Sequence, residues 1–469
     1  MMLDSDSIPI YLYFGYLPIV GWGLPHHDPC AGENRWGKPG PQTRDFAFGN
    51  PIHPTSCGPQ DSLDVSLETT PIGTGMAILR SEFRETLGQT NPTTMHVLPL
   101  SGGLDSRAIL GGLLENLESH QIQAATFGTP GTWDFEIGRQ IARAAGVRWE
   151  GIDLSSEEWA WDTSQLVKTA RQTERPTKMF DAHVNRQVPE RFGVENVYWS
   201  GFMGDPLSGS HLLRRDSTTW DQAQQRFAER NRLSLSVNLA PPGFVPEHIL
   251  PQSPLVGWAV PTIDRPYSVE SVGTAHPTSG EGLCYDEQLD FAVRQPCLIR
   301  PIVLPKGYEY RTPFLHPEWV SFILSVPRRY RQGQYLYKEI LKAAYARLFS
   351  LPAKNNLGLP LKAPRWKKQA RILNLAVRGL ARRIAPSLCY SVSPGLNYID
   401  FDRAIRRRKD LRAVVCENVQ DLKKRGIIDW IDVEDILGRH RHGHGNHADA
   451  LMLLASLEIH LKAQEEAAT

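Results

Sequence analysis

One short stretch restricts the fold more than any other part of the chain: residues 96–110, with the sequence HVLPLSGGLDSRAIL. Its first residues form an apolar run typical of a buried strand, and its last residues show the apolar spacing of a helix. Between them lies a loop that combines two glycines, two serines and an aspartate: Ser101, Gly102, Gly103, Asp105 and Ser106. The pattern predicts a strand that passes through a tight turn into the first turn of a helix.

Strand and helix patterns alternate on both sides of this stretch. Strand patterns are at 122–128, 147–155 and 195–201, and helical patterns are at 75–87, 107–119 and 134–146. Such alternation predicts a parallel sheet with right-handed crossovers, whose ligands bind at the carboxyl ends of the strands. The fold class expected is therefore α/β.

The rest of the chain predicts a helical C-terminal part. Helical apolar spacing recurs at 285–295, 317–327, 336–349 and 448–462. We divide the 469 residues into a linker-like N-terminal segment (1–75), an α/β core (76–240) and a C-terminal part (241–469). The C-terminal part begins with a Pro-, Ser- and Gly-rich excursion over the surface, and its helices complete the domain.

The loop after the first strand has the composition of a phosphate-binding turn. Glycines at the start of a helix expose backbone N–H groups and allow close approach of an anion, and the helix dipole favours negative charge there. The Ser101 and Ser106 hydroxyls can donate to phosphate oxygens. Asp105 would repel a phosphate, so its presence predicts Mg²⁺ between carboxylate and polyphosphate. The lysine of the G-x-x-x-x-G-K-[ST] loop is missing, which indicates a different cradle.

S-G-G-x-D-S after a strand resembles the pyrophosphate loop of the ATP pyrophosphatases (adenine nucleotide alpha hydrolase-like fold), and the chain resembles their asparagine synthetase branch. Four other segments carry this resemblance: SGFMGD (200–205), TFGTPGTWD (126–134), EYRTPFLHP (309–317) and the stretch around PAKNNLG (352–358). The resemblance implies nucleotide binding by the loop residues Ser101, Gly102, Gly103, Asp105 and Ser106, by Ser200 and Gly201, and by Pro99 and Phe127 on the adenine side. It implies Mg²⁺ on Asp105 and Asp205.

The resemblance also implies an AMP-forming carbon–nitrogen ligase. ATP activates a carboxylate as an acyl-adenylate, pyrophosphate leaves, and an amine then forms the amide, as in asparagine biosynthesis. Glu309 and Lys354 would be catalytic, with the lysine facing the phosphates. Arg311 matches the family segment, whereas His316 replaces its usual aspartate. For Lys338, on a helical face, we expect an ion pair rather than a place in the site.

Two features differ from the family pattern. Glutamine-hydrolysing members begin with a cysteine nucleophile and a glutaminase domain, whereas this chain begins Met-Met-Leu. We therefore expect the nitrogen to come from free ammonia, from a separate ammonia-supplying protein or from another amine. Phe202 follows Ser200-Gly201, where the family has an acid or a tyrosine, and a phenyl ring cannot transfer a proton. The alternatives left open are a lactam- or lasso-type cyclase of a peptide or metabolite, and a non-catalytic ATP-binding homologue.

Composition limits the partners and the compartment. A net charge of +1 gives no reason to expect nucleic acid as a partner. Six widely spaced cysteines without a C-x-x-C pair argue against a disulfide scaffold or a structural zinc site and favour the cytoplasm. The apolar residues 8–24 are interrupted by Pro and Gly and follow no basic residue, so we expect a docked segment rather than a signal peptide or a membrane helix.

Two charged segments have no place in the predicted site. Residues 361–383 contain eight Lys or Arg and no acid, which fits a solvated helix face or contact with an anionic membrane surface, and we expect the former. The histidines of residues 440–447 could bind a metal, but no Cys or Glu accompanies them at defined spacing. We expect a loop and a helix start there.

Overall fold

The computed structural model describes most of the chain. The described residues are 3–18, 70–88, 90–91, 93–156, 158–173, 175–254, 259–260, 267–268, 283–384 and 393–468. For 259–260, 267–268, 378 and 380–384 the description is limited to the backbone. Most of the predicted linker and half of the predicted excursion therefore lie outside the described residues. None of the described helices combines the length and the apolarity needed to cross a bilayer.

A parallel sheet of five strands forms the centre of the core. The nine described strands are β1 (His96–Pro99), β2 (Ile122–Gly128), β3 (Arg148–Asp153), β4 (Val197–Trp199), β5 (Ala259–Val260), β6 (Tyr267–Ser268), β7 (Glu309–Arg311), β8 (Pro352–Ala353) and β9 (Leu359–Pro360). The sheet has the order β3-β2-β1-β4-β7, and its neighbours are all parallel. The strand order reverses between β1 and β4, and in such sheets a crevice opens at the carboxyl ends of those two strands.

Helices cover the sheet and make up the C-terminal part. In the first half they are α1 (Ser7–Phe14), α2 (Pro71–Gly88), α3 (Asp105–Leu114), α4 (Trp133–Ala145), α5 (Thr163–Gln172), α6 (Met179–Phe192), α7 (Gly204–Leu207) and α8 (Trp220–Asn231). In the second half they are α9 (Tyr285–Leu289), α10 (Arg300–Val303), α11 (Pro317–Ser325), α12 (Arg328–Arg331), α13 (Tyr335–Ala344), α14 (Ala346–Phe349), α15 (Arg365–Ile384), α16 (Phe401–Arg407), α17 (Lys409–Lys424), α18 (Val433–Arg441) and α19 (Ala448–Ala468). A π-helix, Asp290–Ile299, connects α9 to α10.

Each face of the sheet is the base of its own apolar core. Successive side chains of a strand point to opposite faces, so Val97 and Leu98 enter different cores. The core on the face of Val97 contains buried residues of α1, α5, α6, α17 and α19, and the core on the face of Leu98 contains buried residues of α2, α3, α4, α11 and α13. Because helices cover both faces, a ligand reaches the sheet only at the edge where the strands end.

The sequence predictions match the elements near the sheet and differ further along. The strand predicted at 122–128 has those bounds, and the helix predicted at 134–146 ends before Gly146. The single helix predicted at 336–349 is broken at Tyr345 into α13 and α14. The helix predicted at 285–295 becomes the π-helix after five residues. The first half of the N-terminal apolar segment forms the buried helix α1, in which Tyr11 donates a hydrogen bond to the Thr177 carbonyl at 2.8 Å. Residues 19–24 of that segment lie outside the described residues.

Candidate active site

The loop between β1 and α3 is held by its own serines. The Ser101 amide donates to Ser106 Oγ at 3.2 Å, and the two hydroxyl oxygens lie 3.3 Å apart. Ser101 Oγ also accepts the Gly103 amide at 3.2 Å. These contacts bring the two hydroxyls together at the carboxyl end of β1 and at the first turn of α3. The loop thus presents hydroxyl and amide donors at the edge of the sheet, as its sequence predicts.

Two carboxylates meet where the sheet order reverses. Asp105 begins α3 after β1, and Asp205 lies in α7 after β4. Burial and the nearby Asp205 carboxylate raise the pKa of Asp105 well above its ordinary value, although hydrogen bonds from Tyr337 and the Asp205 amide oppose this shift. Like charges this close, partly removed from water, favour either a proton or a cation between them.

The turn after β4 approaches Asp105 so closely that it requires glycine. A Cβ on Gly201 would lie 2.7 Å from Asp105 Cβ, and a Cβ on Gly204 would lie 2.6 Å from Asp105 Cγ. Both distances are below any ordinary contact, so side chains at these positions would displace the carboxylate. The glycines of the SGFMGD segment therefore allow the two strand ends to bring Asp105 and Asp205 together.

The start of α13 holds both carboxylates. The Tyr337 hydroxyl donates to Asp105 Oδ1 at 2.7 Å, and Gln334 Nε2 donates to Asp205 Oδ1 at 2.7 Å and contacts Ser208 Oγ at 2.9 Å. Tyr337 and Gln334 are buried. Burial and the facing carboxylate raise the pKa of Tyr337 well above its ordinary value, so it stays a donor. One oxygen of each carboxylate is thereby fixed in a hydrogen bond.

Lys354 reaches the loop and is held by a carboxylate. Its amide donates to the Gly102 carbonyl at 2.9 Å, which aligns its segment with the loop. Lys354 Nζ forms an ion pair with Asp134 Oδ2 and donates to Asn397 Oδ1 at 2.5 Å. Asp134 Oδ1 accepts the Gly102 amide at 3.2 Å. A carboxylate thus bridges a glycine amide and the ammonium group, two donors of the kind that bind phosphate oxygens.

A buried arginine fixes the segment that carries Lys354. Arg107, on α3, donates to three backbone carbonyls at 2.6–3.3 Å: those of Leu348, Leu351 and Pro352. Burial lowers the pKa of Arg107 to about 10. Because Arg107 follows Asp105 and Ser106 in the same helix, one element positions the loop, a carboxylate and the lysine segment.

Residues 393–398 cross the site from the C-terminal part. The Pro394 carbonyl accepts the Trp133 amide at 2.7 Å, and the Tyr398 carbonyl accepts the Thr129 hydroxyl at 2.7 Å. The Tyr398 ring stacks on Phe127 with centroids 5.8 Å apart and planes at 21°. Phe127, predicted on the adenine side, is therefore covered by a ring of the same chain. Pro99, also predicted there, ends β1 beside Ala125 of β2.

The comparison with protein-family models finds a match for the segment that carries the loop and the two aspartates. Residues 95–266 match the family model described as asparagine synthase. The match contains the loop, the SGFMGD turn and both aspartates of the pair. For this segment the match supports, in general terms, the ATP-dependent amide ligase family that the resemblance implied. A search of curated proteins returns no match to the chain.

The asparagine synthase segment also contains the position that differs from the family. Phe202 is 9% exposed and packs in the core on the Leu98 face of the sheet. Its amide contacts Ser200 Oγ at 3.3 Å, and the Ser200 amide donates to the Arg311 carbonyl at 2.9 Å. The ring of Phe202 thus contributes packing at the end of β4, where the family has a proton-transferring side chain.

Glu309 and Arg311 lie outside the matched segment, on the edge strand β7. Glu309 is level with Val197 and Arg311 with Trp199, so Arg311 is the nearer of the two to the turn after β4. The two side chains form an ion pair, and Glu309 is 51% exposed on that side of the sheet. The structure brings together the loop, Asp105, Asp205 and Lys354. Glu309 lies two residues before Arg311 on β7 and therefore further from the turn after β4. Its catalytic role stays a prediction.

The residues present fit a divalent cation. Asp105 and Asp205 supply hard carboxylate oxygens, and the raised pKa of Asp105 indicates a site that gains from added positive charge. Lys338 lies close enough to Asp205 to feel its charge. Burial lowers the pKa of Lys338 while Asp205 raises it, and its Nζ donates to the Gly333 carbonyl at 2.7 Å. Lys338 therefore lies at the margin of the site, and among the described residues no ion pair of its ammonium group is seen.

Several residues of the site carry no sequence signal that singled them out. Asp134, Gln334, Tyr337 and Asn397 contact the predicted residues from segments far away in the chain. Only Asp134, in the first turn of a helix that follows a parallel strand, stands where a functional residue is expected.

The histidines of residues 440–447 are divided between core and surface. His440 and His447 are buried at the end of α18 and before α19, and His442 and His444 are exposed. They are not among the described groups whose possible ligand atoms lie within 4.8 Å of one another. The described group that meets this distance is Asp216, Cys284 and Asp286, where Asp216 is paired with Arg328 and Asp286 accepts from Ser217.

Proposed function

We propose that this protein forms amide bonds through an acyl-adenylate, releasing AMP and pyrophosphate. The observation that carries the proposal is the meeting of Asp105 and Asp205 beside the Ser101–Ser106 loop, at the point where the sheet order reverses. Paired carboxylates next to a loop of amide and hydroxyl donors suit a polyphosphate that arrives with a cation. Membership of the 95–266 segment in an ATP-dependent family supports ATP as the substrate.

In the first step, a substrate carboxylate oxygen attacks the α-phosphorus of ATP. The new P–O bond gives the acyl-adenylate, and the bond to the β-phosphate breaks with its electrons going to pyrophosphate. The amides and hydroxyls of the loop and the Lys354 ammonium accept this developing charge. Mg²⁺ held by Asp105 and Asp205 would neutralise polyphosphate charge. Asp134 contacts two of these donors, the Gly102 amide and the Lys354 ammonium group, so pyrophosphate must displace its carboxylate.

In the second step, a neutral amine attacks the acyl carbon and AMP leaves with the electrons of the broken C–O bond. The amine loses one proton to become an amide nitrogen. Glu309 is the base predicted for it, and its ion pair with Arg311 restricts the orientation of the carboxylate. Because Phe202 offers no proton-transferring group, the amine arrives deprotonated or depends on Glu309 alone.

The decisive experiment measures pyrophosphate release from ATP with a panel of carboxylates and amines. We expect release that depends on a carboxylate and falls at least 100-fold in Asp105→Asn. Asp162→Asn is the matched control, because Asp162 caps α5 away from the site and asparagine caps a helix equally well. ATP binding without release from any carboxylate would contradict the proposal and favour a non-catalytic homologue.

The same chemistry serves an amine within the acyl substrate. A lactam- or lasso-type cyclase would give a product lighter than the substrate by one water, whereas a ligase gives a product heavier than the acid by the mass of the amine less one water. The covered Phe202 position motivates this second candidate, since the amine of a folded substrate is positioned by the substrate itself. Intact-mass analysis of the products distinguishes the two.

A further inference from the structure

Helix α15 stands apart from the rest of the protein. Among its described side chains, residues 365–377 and Gly379, none is buried. Trp366, Leu373 and Val377 are 64%, 66% and 59% exposed, and Ile372 is 55% exposed. Single exposed apolar residues are ordinary, but four large ones within about three turns of one helix are not. Three of them share one face, whereas Ile372 lies four residues after Lys368 and therefore beside it on another face.

The exposed side chains are sorted by face. Trp366, Leu373 and Val377 are seven and eleven residues apart, which places them on one side of a helix with 3.6 residues per turn. Lys367, Lys368 and Arg371 lie on the other side. In α17, by comparison, the apolar residues Leu411, Val415 and Val419 are buried in the core. In α15 the apolar face is directed outward, although the sequence alone favours a plain solvated helix.

The charge of this segment is unlike that of the whole chain. Residues 361–384 hold eight Lys or Arg and no Asp or Glu, within a protein whose net charge is +1. A partner must therefore present an apolar layer with negative charge along it. An anionic lipid surface does so, because its acyl boundary accepts the apolar face and its headgroups accept the cations. A tryptophan at the first turn suits the boundary between them.

We propose that α15 binds in the headgroup region of an anionic membrane and holds the protein there. The helix lies along the surface, since it is not among helices able to cross a bilayer. At 20 residues it would extend about 30 Å. Lys368 is close enough to Lys338 for its charge to act on it, and Lys338 in turn feels Asp205. These charges link the first turns of α15 to the margin of the candidate active site.

The test is sedimentation of the full chain with vesicles of phosphatidylcholine alone and of phosphatidylcholine mixed with phosphatidylglycerol. We expect binding to the anionic vesicles only, weakened by high salt. Trp366→Ser with Leu373→Ser should weaken binding roughly tenfold or more, and Lys367→Glu with Arg371→Glu should do the same. Arg214→Glu with Arg215→Glu is the charge-matched control, on an exposed loop elsewhere, and should bind as the unchanged protein does.

Three outcomes would overturn the proposal. They are no sedimentation with anionic vesicles, binding that the α15 variants leave unchanged, and self-association that the apolar-face variant abolishes while vesicles stay free. The last would show that a second copy covers the face. Since the altered residues are exposed, we expect the Tm of every variant to stay within a few degrees of the unchanged protein. Pyrophosphate release without vesicles tests the proposed function separately.

Discussion

The carboxylate of Asp134 and the ammonium group of Lys354 form an ion pair directly over the Gly102 amide. The Asp134 carboxylate therefore occupies the position in which the Gly102 amide and the Lys354 ammonium group would bind an anion. An internal carboxylate there satisfies the amide and the lysine when no phosphate is bound, so that neither is left as an uncompensated polar group.

Removing the charge of Asp134 should favour pyrophosphate. In Asp134→Asn a neutral amide replaces the competing carboxylate, and we expect pyrophosphate to bind roughly tenfold more tightly, because charged hydrogen bonds are about twice as strong as neutral ones. Calorimetric titration of pyrophosphate checks this. Lys354→Met is the opposing variant and should weaken binding at least tenfold. Weaker binding in Asp134→Asn would mean instead that Asp134 holds Lys354 in its productive position.

The raised pKa of Asp105 predicts that its charged carboxylate lowers the stability of the folded protein at neutral pH, although the proposed activity depends on that carboxylate. The folded protein binds a proton more readily at Asp105 than the unfolded chain does, so its contribution to stability falls as pH rises above the ordinary value of 3.8. Asp105→Asn should therefore have a higher Tm than the unchanged protein at pH 7, and the difference should shrink toward pH 4.

Addition of Mg²⁺ should raise the Tm of the unchanged protein and leave that of Asp105→Asn where it is. Thermal unfolding with and without the metal measures both effects. An Asn variant that is less stable at pH 7 would show that the hydrogen bonds to the charged carboxylate outweigh its burial.

A methyl group on Gly204 should separate the carboxylates. Gly204→Ala places a Cβ 2.6 Å from Asp105 Cγ, so we expect a loss of about 1–3 kcal/mol in the free energy of unfolding and loss of the Mg²⁺ effect on Tm. Gly438→Ala, in α18, is the matched control. No atom lies within 4 Å of its added Cβ, so that variant should be neutral or gain about 0.5–1 kcal/mol. Equal behaviour of the two variants would contradict the close approach.

The buried Arg107 should matter to the lysine segment. Arg107→Met leaves three carbonyls without their donor, which should cost about 2–4 kcal/mol in the free energy of unfolding and reduce pyrophosphate release at least tenfold. Arg347→Met is the control, since this arginine also donates to a backbone carbonyl, that of Ala144, but at the surface. Denaturant titration and the release assay together show whether position and stability are lost together.

The sequence predicts those parts of the site that short segments determine. The loop after β1 was predictable because its glycines, its serines and the flanking patterns lie within fifteen residues. The alternation of strands and helices predicts that the two glycine turns lie at one edge of the sheet, whereas the pairing of Asp105 with Asp205 came from the family resemblance. The family resemblance supplied Lys354, which the structure places beside the loop.

Contacts between distant segments could not be predicted in this way. Tyr337 and Gln334 reach the aspartates because α13 packs under the loop, a tertiary relationship that no local pattern encodes. Likewise, Tyr398 stacks on Phe127 from a segment 271 residues away (398 − 127 = 271). The exposed apolar face of α15 was also invisible, because an amphipathic pattern does not reveal whether its apolar side meets a core.

Gln334 and Tyr337 are three residues apart at the start of α13, and each holds one carboxylate of the pair. Gln334 has a left-handed backbone and immediately precedes the helix, whereas Tyr337 lies in its first turn. The start of one helix is therefore hydrogen-bonded to the segments that follow two different strands, β1 and β4. A displacement of the start of α13 would therefore change the hydrogen bonds of both acids at the same time.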